Sequence, residues 1–297
     1  MAESTTEYGI LVGVDGSAES DAAVRWASRE AVMRAERITL MHVVGLIPDW
    51  PSPSRQAQIS AQREQNAGNV IEQAHKAVLA SVTEPQSLDL RTEVIHSDIV
   101  RALVSASAQA TMTVAGSRGM DAFGRFLLGS VSNGLLHHAY GAVAIIRDDD
   151  AMEVDQNAPV LVGIDGSAAS EAATALAFDE ASLRGVPLVA LHAWSDVGVF
   201  PILGMDWRDY EAQGERVLAK RLTGWQERYP DVKVHRRLVC DKPARWLLEE
   251  SRRAQLVVVG SCGRGGFPGK LLGSVSSAVA HSAEVPVIVV RPRLGEA

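Results

Sequence analysis

Short apolar runs bounded by glycine, proline or charged residues alternate along this chain with longer amphipathic stretches. Runs this short and rich in Val, Ile and Leu read as buried strands, and stretches with apolar positions three and four apart read as helices. In the first half, strands are expected over Tyr8–Val14, Ile38–Val44, Leu88–Ile95, Thr111–Gly116 and Ala142–Arg147. Helices are expected over Ser17–Glu36, with Ser17 as N-cap, over Arg55–Val82, from about Asp98 to Gln109, and from near Ser130. The second half gives strands near Val160–Ile164, Leu188–Ala193, Val232–Val239, Leu256–Gly260 and Val287–Arg291, with helices between. Strands joined by helices predict an α/β fold of two tandem five-stranded parallel sheets with helices on both faces, flavodoxin-like or Rossmann-like.

The halves are copies. Gly9-Ile-Leu-Val-Gly-Val-Asp-Gly-Ser17 returns as Pro159-Val-Leu-Val-Gly-Ile-Asp-Gly-Ser167, and Leu40-Met-His-Val43 as Ala190-Leu-His-Ala193, both at an offset of 150. A glycine-rich stretch, Gly116 to Ser130, returns as Gly260 to Ser274 at an offset of 144, so the first copy holds six extra residues between these landmarks. The Pro- and Ser-rich region Leu46 to Arg55 is where they are expected. A period near half the chain means a duplicated domain, not a solenoid. The expected domains are 1–150 and 157–297, with the acidic, aperiodic stretch 148–157 as linker.

Each glycine stretch follows a strand and ends in Gly-Ser at a helix start. Its spacing, Gly-x2-Gly-x9-Gly-Ser, occurs twice. Such loops leave backbone N–H groups pointing at an anion, helped by the helix dipole. A flavodoxin-like order puts strands one and four close to the point where the winding reverses, and ligands bind beyond the carboxyl ends of the strands there. Asp15 and Asp165 end strand one, and the glycine loops end strand four, so the two motifs are expected to converge on one crevice per domain. The loop is not a P-loop: Arg264 stands where its first glycine belongs, and Gly269-Lys270 is followed by Leu271. It is not a dinucleotide fingerprint either, because Pro268 replaces the third glycine.

These residues carry a resemblance. Gly-x2-Gly-x9-Gly-Ser, after Val-x-x-Asp-Gly-Ser on strand one and a His-Val on strand two, resembles the universal stress protein family, and the whole chain is similar to its tandem-domain, ATP-binding bacterial members. The resemblance implies an adenine nucleotide alpha hydrolase-like fold with ATP, alone or with Mg²⁺, across each crevice. It implies contacts from Gly13, Asp15, Val43, Gly116, Ser117, Arg118, Gly119, Gly129, Ser130 and Val131 in the first domain. In the second it implies Gly163, Asp165, Ala193, Gly260, Ser261, Cys262, Gly263, Arg264, Gly265, Gly266, Gly273, Ser274 and Val275. The aspartate would lie near the adenosine, the strand-two backbone at Val43 or Ala193 would read the adenine edge, and Gly13 and Gly163 would let the nucleotide come close. Family members also pair through their last strands, which implies a homodimer, with regulatory protein partners unspecified.

The second loop continues Gly263-Arg264-Gly265-Gly266 where the first has Gly119-Met120-Asp121-Ala122. A carboxylate at Asp121 repels phosphates unless it turns outward or meets Mg²⁺, so the first site is expected to bind ATP more weakly. Other chemistry is thinner. His42 and His192 occupy matched inner-strand positions and read as packed, hydrogen-bonded residues. His137 and His138 are adjacent on a helix and make a poor metal pair. No Gly-x-Ser-x-Gly elbow occurs. Trp194, Trp207, Trp225 and Trp246 read as packing residues, with Trp50 and Trp207 as weaker candidates for an adenine pocket.

At 297 residues, 46% hydrophobic, the chain can bury two cores. Its net charge of −7 argues against a nucleic-acid partner. Two cysteines make no disulfide framework, the polar start lacks a signal peptide and no apolar run is long enough to insert in a membrane, so a cytoplasmic protein is expected. The function expected is an ATP-binding regulatory protein of the stress response. The alternative is a slow ATP-hydrolysing or adenylate-transferring enzyme of the related α/β class.

Overall fold

Strand β1 (Gly9–Gly13) is apolar on both sides and fully buried over Ile10–Val12, as a strand must be when helices cover both faces of a parallel sheet. A computed structural model places it at the centre of the first of two compact units, which divide between Asp148 and Asp149. The structure describes residues 7–46, 53–84, 88–119, 128–147, 155–193, 207–263 and 272–291, without the side chains of 53, 207–213 and 217.

The first unit runs β1, α1 (Ala18–Arg34), β2 (Ile38–Val44), α2 (Pro53–Ser81), β3 (Leu90–His96), α3 (Ile99–Ser107), β4 (Ala110–Gly116), α4 (Ser130–His138) and β5 (Ala142–Ile146). The second repeats it as β6 (Val160–Gly163), α5 (Ala168–Arg184), β7 (Leu188–Ala193), α6 (Trp207–Arg228), β8 (Val234–Val239), α7 (Pro243–Ser251), β9 (Leu256–Gly260), α8 (Ser274–Ser282) and β10 (Val287–Val290).

Within the units the strands lie in the orders β3-β2-β1-β4-β5 and β8-β7-β6-β9-β10, and every pair within a unit is parallel. The α/β class is the one the pattern predicts. The order is the Rossmann-type 3-2-1-4-5, whereas a flavodoxin-like order would seat strand three beside strand one. Strands one and four are therefore direct neighbours, and the switch point lies between them.

The reversal sets the helix layers. In the first unit α1 packs on β1, β4 and on α2, while α3 packs on β1, β2, β4 and on α4. Helix α1 buries Ala22, Ala23, Ala27 and Ala31, and α5 buries Ala173, Ala177 and Ala181. Small side chains let these helices come close to the sheet. Phe178 on α5, fully buried, stacks against Trp225 and Tyr229, which gives Trp225 the packing role expected of it. The buried positions Val70, Ala74 and Val78 of α2 recur as Gly214, Leu218 and Leu222 of α6 at an offset of 144. The six extra residues thus enter between β2 and this buried stripe. No helix among the described residues is long and apolar enough to cross a membrane.

Ser17 and Ser167 cap α1 and α5, each accepting the N–H three residues on. The other ends differ. Both helices close with a residue in the left-handed region, Gly185 at φ 64 but Ala35 at φ 50. Ala pays a steric cost there that Gly does not. Ala35→Gly is expected to stabilise the first unit by about 0.5–1 kcal/mol and Gly185→Ala to destabilise the second by a similar amount. Denaturant midpoints check this, and an unchanged midpoint in both variants contradicts it.

Candidate functional site

In both units the crevice is built from an Asp-Gly-Ser turn at the end of the central strand. Gly16 and Gly166 sit at φ 84, a conformation L side chains rarely adopt, so the turn needs glycine. The turn folds the aspartate back: Ser17 N–H donates to Asp15 Oδ1 at 3.0 Å, and Ser167 N–H to Asp165 Oδ1 at 2.8 Å. Ser20 Oγ accepts from the Asp15 N–H at 3.2 Å, and Ser170 Oγ from Asp165 at 3.1 Å. Asp15 and Val43 each lie two residues past the paired Gly13 and Met41, and Asp165 and Ala193 two past Gly163 and Leu191, so these residues share one sheet edge.

The glycine loops begin beside them. Ser117 N–H donates to the Ile146 carbonyl at 2.6 Å and Ser261 N–H to that of Val290 at 2.8 Å, carrying β4 and β9 one residue beyond the strand. The loop ends then close on themselves, Gly129 N–H to the Ser117 carbonyl at 2.8 Å and Gly273 N–H to that of Ser261 at 2.7 Å. The helices that follow, α4 and α8, take Gly129 and Gly273 as N-caps with no side-chain hydrogen bond, unlike the serine-capped α1 and α5. Among the described residues no capping side chain meets their first N–H groups, which suit an outside acceptor such as an anion.

The loop glycines have different reasons. A Cβ on Gly116 would lie 2.7–2.8 Å from the Glu19 backbone, and one on Gly260 2.6–2.7 Å from that of Ala169, so the first glycine serves helix packing. A Cβ on Gly119 would lie 2.6 Å from Asp15 Oδ2, and on Gly263 2.5 Å from Asp165 Oδ2. The second glycine is thus the point where loop and aspartate meet. Gly129 lies over Arg118 and Gly119, its added Cβ at 3.4–3.6 Å from their backbone atoms, and Gly273 over Ser261 and Cys262 at 3.3–3.4 Å. Asp15, Arg118, Gly119 and Gly129, and Asp165, Cys262, Gly263 and Gly273, are therefore brought together although they stand about 100 residues apart in the chain. Ser130, Val131, Ser274 and Val275 form the first turns of α4 and α8 at the same loop ends.

Gly13 and Gly163 also serve packing: a Cβ there would touch Leu103 Cδ1 at 3.3 Å and Leu247 Cδ1 at 3.2 Å, so they give room to α3 and α7. Arg264, Gly265, Gly266 and Asp121 lie outside the described residues, as do Trp50 and Trp194 and the side chain of Trp207. His42 and His192 are hydrogen-bonded through Nδ1 to the carbonyls of Val14 and Ile164, at 2.8 and 2.6 Å. With the carbonyl as acceptor, Nδ1 carries the proton, and the ring braces the residue before each aspartate. Among the described residues no group of three or more His, Cys, Asp or Glu is placed to hold a metal.

Sequence reading missed three contributors. Ser20 and Ser170 support the aspartates, and Ser132 and Ser276 tie the first turns of α4 and α8 to the carbonyls of Gly116 and Gly260 at 2.5 Å. Both are visible as repeated spacing, Ser-x-x-Ser after the aspartate and Ser-x-Ser after the loop. The third differs between units: Arg118 Nη2 meets Glu19 Oε1 at 2.7 Å, whereas Cys262 and Ala169 hold those places in the second. There the Ser167 hydroxyl donates to the Cys262 carbonyl at 3.1 Å, while the Ser17 hydroxyl donates to Asp15 Oδ1 at 2.6 Å.

A bound adenine nucleotide fits these donors. The uncapped helix starts and loop N–H groups suit phosphates, and the carboxylates suit ribose hydroxyls. Ser117 Oγ, buried and without a hydrogen-bond partner among the described residues, adds a polar atom at the same loop. Gly116→Ala is expected to cost about 1–3 kcal/mol, because backbone must move. Gly119→Ala should cost less stability, because Asp15 can swing away, but it should break the Asp15–Ser17 turn. Urea midpoints order the two, and a larger loss for Gly119→Ala contradicts the assignment.

The profile of the universal stress protein family matches residues 9–147 and 157–291. A universal stress protein of Mycolicibacterium smegmatis is 58% identical over 294 residues, 99% of this chain and 100% of that protein. Another, of Mycobacterium bovis, is 50% identical over 293 residues, 98% of this chain and 99% of that protein. A solved universal stress protein from Archaeoglobus fulgidus shares the fold, with a TM-score of 0.71 at 23% identity over 95% of this chain and 98% of that one. Matched in both halves and nearly end to end, the chain belongs to the universal stress protein family.

Proposed function

We propose that this stress-response protein binds ATP at the crevice of each unit and uses occupancy as a conformational or partner signal. One observation carries the reading. In both units the strand-one aspartate, the second loop glycine and an uncapped helix start meet at the switch point, Asp15 with Gly119 and α4, and Asp165 with Gly263 and α8. A carboxylate beside free backbone donors suits a ligand with hydroxyls at one end and phosphates at the other. Asp15 or Asp165 would accept from the ribose. The N–H groups of Gly119, Ser130 and Val131, or Gly263, Ser274 and Val275, would hold phosphates. Backbone at Val43 or Ala193 would stand beside the base. Mg²⁺, when present, would be held by the phosphates, which neutralises charge without a dedicated protein cage.

The sites are not equivalent. Arg118 is paired with Glu19, so the two together add no net charge to the first loop. The second loop carries Arg264 and Gly265 where the first has Met120 and Asp121, and that difference in charge makes the first site the weaker. Denaturing the purified protein and measuring released nucleotide by absorbance and mass should give adenine nucleotide at up to two per chain. On calorimetric titration Asp165→Ala should weaken the tighter site about tenfold, the loss of one charge-assisted hydrogen bond. Asp15→Ala should weaken only the other. No released nucleotide together with no binding on titration would sink the proposal, and equal affinity at both sites would remove the asymmetry.

A further inference from the structure

The second unit carries a cluster of cationic groups outside the crevice. Lys220, Arg221, Gly224, Trp225 and Arg228 of α6, with Glu171 of α5, line a groove of about 770 Å³. Three cations face one carboxylate there. Glu171 is partly engaged, accepting from Trp225 Nε1 at 3.0 Å, and lies 4.0 Å from Arg221 Nη1, too far for a tight ion pair. Arg228 lies over the Trp225 and Tyr229 rings, at 5.8 and 5.6 Å from their centres.

Arg221 is the pivotal group. Its guanidinium rests where a side chain on Gly166 would stand, one residue from Asp165. Its Nε is buried and has no hydrogen-bond partner among the described residues. The side chain as a whole is 32% exposed and lines the groove, so its outer guanidinium N–H groups can meet an acceptor from outside the protein. The first unit solves the same position differently: Gln73 Nε2 donates to the Gly16 carbonyl at 3.3 Å and to Asp21 Oδ2 at 2.6 Å. At the offset of 144 the first unit has Lys76, Ala77, Ala80, Ser81 and Glu84 where the second has Lys220, Arg221, Gly224, Trp225 and Arg228, and Lys76 pairs with Glu72 at 2.7 Å. The cationic excess therefore belongs to the second unit. Gly224 completes the floor. A Cβ there would meet nothing within 4 Å, so no protein atom requires a glycine that weakens the helix, and its absent side chain keeps the groove open between Lys220 and Arg228.

We infer that this groove is an anion site for a phosphate group carrying two or more charges, with Arg221 and Lys220 as the donors and Arg228 closing the far side. Guanidinium forks match phosphate oxygens, and a net positive groove favours a multiply charged group over a single carboxylate. The phosphate can come from the tail of a nucleotide or from a separate phosphate ester. The site does not depend on the crevice binding ATP.

The test follows the Trp225 indole N–H resonance, assigned by its loss in Trp225→Phe, while the full chain is titrated with inorganic pyrophosphate at low salt. Pyrophosphate should move the resonance, and added salt should reverse the shift. Arg221→Gln, the residue type the first unit uses against its own turn, should weaken the effect about tenfold, as loss of one charge-assisted hydrogen bond does. Lys220→Gln with Arg228→Gln should do the same. ATP that moves the resonance and blocks pyrophosphate identifies a nucleotide tail as the source. Pyrophosphate that still acts at saturating ATP identifies a separate phosphate. An unmoved resonance at millimolar pyrophosphate, or a shift unchanged in both cation variants, overturns the inference.

Discussion

The contact between the strand-one aspartate and the second glycine of the loop organises each unit. The Asp15 and Asp165 carboxylates, held as they are, occupy the space of a side chain at Gly119 and Gly263, where an added Cβ would lie 2.6 and 2.5 Å from Oδ2. The surrounding structure brings those two atoms to one place. Ser17 and Ser20, or Ser167 and Ser170, hold the aspartate turn, and His42 or His192 braces the residue before it. The parallel pairing of strand four beside strand one brings the loop within reach. Removing either support would leave a carboxylate and a loop with no common geometry.

Duplication makes the chain its own control. Contacts present in both units, such as the serine caps, the histidine-to-carbonyl bonds and the serine ties at Gly116 and Gly260, answer to the fold. Contacts present in one answer to something particular to it. Arg118 with Glu19 marks the first loop, and Arg221 against Gly166 marks the second turn. Both place an arginine within a few residues of the aspartate, but from opposite directions: one from the loop, the other from α6. The units have kept one scaffold and redistributed positive charge around it.

Much of this was legible beforehand. Hydrophobic periodicity located the strands to within a residue or two, because buried strands in a parallel sheet must be apolar on both sides. The N-cap at Ser17 and the convergence of Asp15 with the glycine loop followed from local chemistry and from the rule for strand ends. Other features were not legible. The packing role of Gly13 and Gly163 gave no sign, because the Leu103 and Leu247 methyls that need the space come from helices about 90 residues on. Glu19 and Arg221 gave no signal, since each acts on a partner whose proximity depends on the strand order and on how helices seat.

By itself the sequence determined that there are two copies, that each alternates strand and helix, and which two motifs are repeated with fixed spacing, since repetition and period are local properties of a chain. Tertiary structure decided the 3-2-1-4-5 order that makes strands one and four neighbours. It also decided which glycine yields to a helix and which to a carboxylate, and where an arginine comes to rest against a turn. Those are questions of distance between residues far apart in the chain, and only packing sets such distances.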